Sequence, residues 1–545
     1  MAVTLIPYLW GATLTGARPA LGVFSWFTFN TTDHCVYLSW MRQAADGHFF
    51  QHNLFTTEPQ SGYQFNLFFL ALGLISRITH LSTTCVYQLA RLGFGAALLR
   101  AVWWLLELLV SERRARIAAF WVVCFSAGLG WIPGLWEMGL VRGPVDSWQP
   151  EAVTFLSVYL FPLFSVSMLL MAGVLGWLLA ALRSGSLRHA AYAGLCGLLL
   201  GNIHTYDVIT LMAVWGAFLV VRAIVERRLV TRALGQAAIA GALTALSTGY
   251  MAWLLKTEAV FAKRAAVPTF SPSLWMVILG FGLVLALAVV GAVWVKCRPA
   301  FQSSGRGDSR AFLIVWAVAN VAVSYLPVAF QRKMLMGAHL PLAILAGVAL
   351  ATLLTRVPAR ARGLALAGSI AALSLTNVRF VLRDMAELPQ NQGPVRAYMY
   401  RGEAAALDWI RQHTPAGAPV QPLPWVSLHP RTGAFGFFDN TVACFTPGLT
   451  GHPVNAGHWG ETPDFPRAMN LWATFQKPDT PEDWRRDFLL RTGVRYVLFT
   501  QKHDETGNPS VETGILSLMR TAPPPCLRRI PEASNDDADV YEVAL

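Results

Sequence analysis

Long apolar runs recur along this chain as far as residue 381, and they constrain its fold more than any other feature. A helix that spans a membrane needs about 20 mostly apolar residues. Twelve stretches approach that length: 1–14, 63–78, 92–110, 117–140, 155–182, 190–203, 208–224, 233–255, 274–295, 312–330, 334–354 and 364–381. Only helices and closed barrels satisfy every backbone polar group in lipid. We therefore predict a mainly α protein, a polytopic transmembrane helix bundle.

Composition and charge distribution exclude three other classes of protein. Only 14% of the residues are charged, against about 25% in soluble domains, which excludes an ordinary cytosolic enzyme. The 31 Phe and 20 Trp supply more apolar surface than a disordered chain contains. The net charge of +12 does not indicate a nucleic-acid partner. From Asp384 onward there are 14 basic and 19 acidic residues, so the positive excess lies in short loops between the apolar runs.

Basic residues alternate between loops, and this alternation predicts the orientation in the membrane. They cluster in the loops at 112–116, 183–188, 226–232, 296–310 and 356–362. The positive-inside rule puts these loops in the cytoplasm. The extracytoplasmic face then holds the loops at 15–62, 141–154, 202–207, 257–272 and 327–333 and the tail after Arg383. We expect a multi-pass protein of the plasma (inner) membrane.

The number of crossings follows from this orientation. One net crossing must separate Gly62 from Glu112, although two apolar runs lie between them. We expect the run at 63–78 to be re-entrant or to lie along the interface, which leaves 11 crossings. The run at 1–14 is short and has no basic residue before it, so it is neither a convincing signal peptide nor a full span. A chain start further upstream therefore stays open.

The tail has the patterns of a soluble domain. Residues 403–413 carry apolar side chains at helical spacing, whereas 494–499 and 540–543 are rich in branched and aromatic residues typical of β-strands. The predicted division is a transmembrane domain at 1–383, with a long first extracytoplasmic loop at 15–62, and a soluble extracytoplasmic α/β domain at 384–545.

The twelve carboxylates before Asp384 are divided unevenly between the two predicted faces of the membrane. Ionisable groups in a membrane domain are costly and are usually kept for a function. Four of the twelve lie near predicted cytoplasmic ends of spans. The other eight lie on or near the extracytoplasmic face: Asp33, Asp46, Glu58, Glu137, Asp146, Glu151, Asp207 and Glu258. Any chemistry is therefore expected on that face.

The first extracytoplasmic loop contains a predicted short helix. An apolar stripe at helical spacing is made by Val36, Tyr37, Trp40, Met41 and Ala44. Such a stripe is typical of a helix that lies in the membrane interface. Asp33 stands immediately before the stripe, which predicts either a helix N-cap or a functional carboxylate, and one group can serve as both.

The order of these elements, and several short motifs, resemble a known superfamily over the membrane part of the chain. The motifs are Asp33-x-x-x-Tyr37, Ala45-Asp46-Gly47, Thr57-Glu58-Pro59 and a Gly73 followed by Arg91. The pattern resembles the GT-C superfamily of polyprenyl-phosphate-sugar-dependent glycosyltransferases, with protein O-mannosyltransferases and aminoarabinose transferases nearest. Those families often have an adjacent Asp-Glu pair, where this chain has Asp33-His34.

The resemblance implies a reaction. A sugar would move from a polyprenyl-phosphate donor lipid to a hydroxyl of a glycan, lipid or protein acceptor on the extracytoplasmic face. Asp33 matches the first-loop carboxylate that serves as catalytic base in the GT-C pattern. Such a base takes the proton of the attacking hydroxyl. Attack opposite the lipid phosphate implies inversion at the sugar carbon.

Other acidic residues are expected in or beside this site. Glu58 closes the first loop, Asp146 and Glu151 lie in the next extracytoplasmic loop, and His204 and Asp207 end a predicted helix on the same face. Ordinary loop polarity and helix capping are the alternatives for each. No recognised ligand spacing links the His and Asp residues, so no cofactor is assigned and a divalent metal stays open.

Two extracytoplasmic groups of cations run against the positive-inside rule. They are Gln331-Arg332-Lys333 and Lys263-Arg264, which predict a docking site for the lipid phosphate or snorkelling toward headgroups. In the tail, the loop at 450–462 places His458 and Trp459 among glycines, which predicts either acceptor recognition or turn geometry.

Two other functions stay open at this point. One is a lipid or glycan transporter or flippase, and the other is a non-catalytic envelope-assembly membrane protein. Many transporters contain repeated halves, whereas this sequence has no internal repeat. The long first loop and the tail domain also favour a transferase.

Overall fold

The computed structural model describes residues 1–139, 141–304, 307–391, 396–428, 435–438, 441–500 and 520–545. The chain forms two compact units. The bundle unit comprises Met1–Thr4, Leu89–Trp253 and Ala266–Arg383, and the tail unit comprises Leu5–Gln88, Leu254–Ala265 and Asp384–Leu545. Residues 5–88, which the predicted division assigned to the transmembrane domain, therefore pack with the tail.

The secondary structure is mainly helical. The helices are α1 (Ile6–Ala17), α2 (Thr31–Asp46), α3 (Leu67–Thr79), α4 (Thr83–Leu109), α5 (Arg113–Phe125), α6 (Pro133–Trp136), α7 (Thr154–Leu160), α8 (Pro162–Ser184), α9 (Leu187–Ile203), α10 (Tyr206–Glu226), α11 (Thr231–Thr257), α12 (Ala259–Ala265), α13 (Leu274–Val293), α14 (Ser309–Val323), α15 (His339–Leu354), α16 (Arg362–Leu373), α17 (Leu375–Glu387), α18 (Arg401–His413), α19 (Thr441–Thr450), α20 (Phe465–Phe475) and α21 (Glu482–Thr492). The strands are β1 (Val23–Phe24), β2 (Ser303–Ser304), β3 (Gly307–Asp308), β4 (Tyr398–Met399), β5 (Val420–Pro422), β6 (Trp425–Leu428), β7 (Phe435–Phe438), β8 (Tyr496–Thr500), β9 (Leu527–Arg529) and β10 (Ala538–Val543).

Six helical segments within the described residues are long and apolar enough to cross a membrane. They are α4, α8, α10, α11, α13 and the segment Gln331–Leu354, which contains α15. A seventh is obtained if α16 and α17, bent by 56° at their junction, form one span. The integral membrane character is thus supported, while the predicted count of 11 crossings is not reached by length and composition alone.

Several predicted runs are interrupted in the structure. The run at 155–182 divides at Phe161, because Pro162 starts α8 and α7 ends one residue before Phe161. Proline suits the first turn of a helix, where its missing N–H would have no partner. The run at 117–140 also differs, since α5 already ends at Phe125. The apolar composition predicted these regions but not the breaks inside them.

Glycines allow α15 to lie at the centre of the bundle unit. A Cβ at Gly347 would stand 2.2 Å from Ala119 Cα of α5, and one at Gly291 of α13 would stand 2.2 Å from the carbonyl oxygen of Leu345. Backbones therefore approach closely on two sides of α15, as small residues permit in membrane helices.

The tail unit contains a four-stranded sheet in the order β5-β8-β10-β9. β5 and β8 are parallel, whereas β10 runs antiparallel to β8 and β9. Val497 pairs with Tyr541, and both belong to a core that includes Trp472 of α20 and Phe488 of α21. The predicted helix and two strands of the tail are confirmed as α18, β8 and β10.

The first loop is joined to the tail at its beginning. β1 pairs with β4, so Val23 lies opposite Met399. Gly22 precedes this pair with φ of 95°, and a Cβ there would stand 2.0 Å from the carbonyl oxygen of Met399. Only glycine accommodates both the left-handed φ and this approach.

Candidate active site

Asp33 lies in the first turn of α2. The residue before the helix is Asn30, with φ of 50°, so Asp33 is the third helical residue and the N-cap interpretation of Asp33 is wrong. The Asn30 side chain donates to Asp33 Oδ2 at 2.6 Å. A carboxylate in this position is stabilised by the positive end of the helix dipole. The Asp33 side chain retains 28% of its exposure, so a substrate hydroxyl can reach it.

Neighbouring helices of the tail unit fix α2 in place. A Cβ at Gly73 of α3 would stand 2.4 Å from Ala44 Cβ, and one at Gly448 of α19 would stand 2.8 Å from Leu38 Cβ. Tyr37 stacks on Phe69 with ring centroids 4.9 Å apart. The apolar stripe of α2 thus packs on protein, and this packing sets the position of Asp33. Its location in the membrane interface stays a prediction.

His458 contacts Asp33 from the tail. Its Nε2 lies 3.2 Å from Asp33 Oδ1. Its Nδ1 accepts hydrogen bonds from the backbone N–H groups of Gly460 and Glu461, at 3.0 and 3.1 Å. The ring is only 3% exposed. The structure therefore gives His458 a polar contact with the candidate base rather than an open face for an acceptor.

The glycine-rich tail loop, residues 450–462, is attached to the first loop. Asn53 Nδ2 donates to the Glu461 carbonyl oxygen at 2.9 Å. The hydroxyl of Thr462 donates to the Phe55 carbonyl oxygen at 2.7 Å. Two segments that the sequence marked separately thus form one site in the tail unit.

Arg264 of α12 lies beside this site and has partners. Its Nε is 2.6 Å from Glu461 Oε1, and the Glu461 side chain is 7% exposed. Its guanidinium carbon is 4.9 Å from the ring centroid of Trp40, a cation–π distance. Arg264, for which the sequence predicted phosphate docking or snorkelling, thus forms an ion pair with Glu461.

Glu58 and Lys263 lie at the surface and contact each other. Lys263 Nζ is 2.7 Å from Glu58 Oε2, and both side chains are well exposed. A surface pair of this kind contributes little stability. Trp459 is also exposed, at 40%, with its ring centroid 5.7 Å from that of His458. The Trp459 ring is therefore accessible, and the role in acceptor recognition stays a prediction.

In the bundle unit, Arg332 and Lys333 lie on a 3-10 turn, Gln331–Leu335, before α15. The Arg332 guanidinium carbon is 5.4 Å from the Trp148 ring centroid, and Lys333 Nζ is 4.6 Å from that of Tyr206. In the part of the chain that the structure describes, neither cation has a carboxylate within 4.0 Å. An unbalanced pair of cations is suited to a phosphate.

Hydrogen bonds hold this cationic turn. Gln331 Oε1 accepts from the backbone N–H of Ser271, and its amide donates to the Leu326 carbonyl oxygen. Gln149 Nε2 donates to the Arg332 carbonyl oxygen at 3.0 Å. Gln331, expected to touch substrate, thus uses its side chain to fix the turn that carries the two cations.

His204 and Asp207 form a buried pair at the start of α10. His204 Nδ1 lies 3.0 Å from Asp207 Oδ2, and the Asp207 side chain is fully buried. The Tyr206 ring contacts both groups, with its centroid 5.6 Å from the His204 ring and 4.6 Å from Lys333 Nζ. The structure therefore brings His204, Asp207 and Lys333 into one neighbourhood of the bundle unit.

Asp146 and Glu151 are buried rather than displayed in an open loop. Asp146 Oδ2 accepts from the backbone N–H groups of Gly128 and Gly130, at 2.8 and 3.2 Å. Burial raises the pKa of Asp146 from 3.8 to about 7, although hydrogen bonds from Thr376 and from these two amides act in the opposite direction. This arrangement fits a structural role for Asp146.

The described residues contain no group of three or more His, Cys, Asp or Glu side chains that could hold a metal ion. His34, which follows Asp33, is hydrogen-bonded to the Tyr87 hydroxyl at 2.8 Å and stacked on Phe27.

Three contributors to these sites were not predicted as site residues, although Trp40 was predicted as part of the apolar stripe of α2. Asn30 and Trp40 belong to the first loop, and Trp148 to the second. Asn30 stands next to the start of α2 and could have been found, since Asn is one of the few residues that tolerate a left-handed φ before a helix. The two tryptophans carry no such signal, because only packing brings a cation over their rings.

Comparison with known proteins supports the fold. No protein-family model and no curated protein matches the sequence. ArnT from Cupriavidus metallidurans in the apo state matches with a TM-score of 0.55 at 13% identity, covering 99% of this chain and 96% of that chain. The arabinofuranosyltransferase AftD from Mycobacteria matches with a TM-score of 0.53 at 14% identity, covering 100% of this chain and 40% of that one.

A further match is the oligosaccharyltransferase of Archaeoglobus fulgidus, tethered to an acceptor peptide with the NVT sequon. It gives a TM-score of 0.50 at 14% identity, covering 92% of this chain and 68% of that one. ArnT has also been solved bound to undecaprenyl phosphate, with a TM-score of 0.51. All these neighbours are GT-C glycosyltransferases. These matches confirm the predicted GT-C fold: the chain shares the fold of these solved membrane glycosyltransferases.

Proposed function

We propose that the protein is a membrane glycosyltransferase that moves a sugar from a polyprenyl-phosphate donor to a hydroxyl acceptor on the extracytoplasmic face. The observation that carries this proposal is the carboxylate of Asp33, which is partly exposed and is contacted on one oxygen by His458 and on the other by Asn30. A base held in this way is oriented before substrate arrives.

With Asp33 as base, the proton, the bond that forms and the bond that breaks in the transfer are all accounted for. The acceptor oxygen attacks the anomeric carbon while its proton passes to the Asp33 carboxylate. A C–O bond to the acceptor forms, the C–O bond to the lipid phosphate breaks, and the phosphate leaves with the electron pair. Attack from the side opposite the phosphate inverts the sugar carbon. General base catalysis of this kind contributes about 10²- to 10⁴-fold in rate.

The donor is proposed from the neighbours and from the cations. ArnT binds undecaprenyl phosphate in its solved complex, which supports a lipid phosphate as leaving group here. Arg332 and Lys333 supply two cations without carboxylate partners among the described residues, and we assign them to the donor phosphate. The acceptor is a hydroxyl of a glycan, lipid or protein.

A transfer assay tests the role of Asp33. Purified protein with a radiolabelled polyprenyl-phosphate sugar and candidate acceptors should form a labelled product. Asp33→Asn should lower the rate by about 10²- to 10⁴-fold. Asp46→Asn is the matched control on the same helix, because Asp46 forms a partly exposed pair with Arg42. Full transfer by Asp33→Asn would contradict the proposal, and flux of lipid across vesicles without a covalent product would favour a transporter.

The cations are tested in the same assay. Arg332→Gln and Lys333→Gln should raise KM for the donor, because each removes a charge from the phosphate. Lys296→Gln is the control, since Lys296 also lies over a tryptophan ring, at 5.8 Å from Trp294, but on the predicted cytoplasmic face. An equal effect of all three variants would contradict the assignment.

We propose 11 crossings in the plasma (inner) membrane, with the tail on the extracytoplasmic face and α3 re-entrant or interfacial. The short length of α3, 13 residues, supports this placement. Single cysteines at Arg77 and Arg113 should react with impermeant reagents from opposite faces of the membrane. Labelling of both from one face would overturn the topology.

A further inference from the structure

We infer that His458 is a positioning residue for Asp33, held in one neutral tautomer by the backbone of the glycine-rich tail loop. This inference rests on the proposed role of Asp33 as base, and it assigns His458 a role other than acceptor recognition. It depends on the hydrogen bonds of the two ring nitrogens. It also depends on further contacts that connect the glycine-rich tail loop to α2.

The contacts of Nδ1 select the tautomer. The backbone N–H groups of Gly460 and Glu461 both donate to Nδ1, at 3.0 and 3.1 Å. A nitrogen that accepts from two N–H groups holds a lone pair and no proton. In a neutral imidazole the proton is then on Nε2. Nε2 faces Asp33 Oδ1 at 3.2 Å, so His458 donates to the carboxylate.

This geometry excludes His458 as the proton acceptor of the reaction. The only lone pair of the ring is directed at backbone amides, and the ring is 3% exposed. The imidazole therefore serves Asp33 as a fixed donor. Asn30 donates to the second oxygen at 2.6 Å, so the two donors together restrict rotation of the carboxylate. The Asp33 side chain remains 28% exposed, so the acceptor hydroxyl can still reach the carboxylate.

Contacts lead from His458 through Glu461 and Arg264 back to α2, the helix that carries Asp33. Glu461 donates its backbone N–H to the imidazole, and its carboxylate pairs with Arg264 at 2.6 Å. Arg264 lies over Trp40, two helical turns beyond Asp33 on α2. Residues seven apart lie on the same face of a helix. The tail loop and α12 thus contact one face of α2 at two points, which fixes both the position and the rotation of the helix that carries Asp33.

Two substitutions separate this role from a merely structural one. The side-chain nitrogen of Gln reaches the position of Nε2, so His458→Gln retains a donor toward Asp33. The side-chain oxygen of Asn reaches the position of Nδ1, so His458→Asn retains the acceptor for the amides and loses the donor. We expect His458→Asn to lower kcat by about 10²-fold with KM unchanged, since misplacement of a catalytic group by about 1 Å costs this much. His458→Gln should restore most of kcat.

The experiment compares wild type, both His458 variants and Asp33→Asn by transfer assay and by thermal unfolding in the same detergent. Equal thermal stability of the Asn and Gln variants with different kcat supports positioning. Wild-type kcat in His458→Asn, or equal losses in both variants, would overturn the inference. Its failure is distinct from failure of the proposed function, in which wild type itself transfers no sugar or Asp33→Asn retains full activity.

Discussion

Replacement of Asp146 by Asn should make the stability of the protein less dependent on pH. The carboxyl group is fully buried, and burial raises its pKa from 3.8 to about 7. Asn keeps an oxygen that can accept from the amides of Gly128 and Gly130, but it carries no charge to desolvate. The substitution therefore isolates the cost of ionising this one group.

The direction and size of the pH effect on stability follow from two pKa values of Asp146, 3.8 in the unfolded chain and about 7 in the folded chain. Below pH 3.8 both the folded and the unfolded chain hold the proton. Between 3.8 and about 7 only the folded chain of the wild type holds it, so rising pH favours unfolding. Above about pH 7 Asp146 is ionised in both states, and the folded protein then bears the full free-energy cost of a buried carboxylate. The rise in pKa from 3.8 to about 7 corresponds to a loss of about 4 kcal/mol in the free energy of unfolding, because each pKa unit is worth about 1.4 kcal/mol.

Thermal unfolding in detergent from pH 5 to pH 8 measures this effect. Wild type should lose stability across the range relative to Asp146→Asn, so that the variant is the more stable protein at pH 8. Infrared difference spectra should show a protonated carboxyl at pH 6 that is missing in the variant. Glu137→Gln, at an exposed position of the same unit, is the control. Parallel pH curves for wild type and Asp146→Asn would refute a buried, neutral Asp146.

Two further substitutions test the packing of the tail unit. Gly73→Ala should destabilise it by about 1–3 kcal/mol, as overpacking usually does, because the new Cβ would stand 2.4 Å from Ala44 Cβ. Gly16→Ala is the control, since a Cβ there meets no described atom within 4 Å, and equal thermal shifts would contradict the close contact. Glu403→Gln should cost about 3–5 kcal/mol, because it removes the charge that pairs at 2.8 Å with the guanidinium of Arg396, which is 2% exposed. Limited proteolysis of the tail measures this loss, and unchanged resistance would argue against a buried ion pair.

Local patterns in the sequence identified the class of protein and much of its secondary structure. Apolar runs indicated a membrane protein, and the stripe from Val36 to Ala44 predicted α2 within the first loop. The strands β8 and β10 were predicted from residue type alone. These features depend on composition and on periods of a few residues, which a single sequence contains. The break before Pro162 is also local, because proline favours the first turn of a helix, but apolar composition alone did not predict it.

The sites depend more on tertiary structure. Asp33 and the loop containing His458 were each selected from the sequence, yet the hydrogen bond between them joins residues 425 positions apart. No periodicity relates such distant residues. The same holds for Arg264, for which the sequence predicted phosphate docking or snorkelling and whose Glu461 partner comes from the tail. Composition determined which ionisable groups the chain carries. Packing decided which of them neutralise one another and which remain for a ligand, because hydrogen bonds require about 3 Å between their atoms and ion pairs weaken with distance.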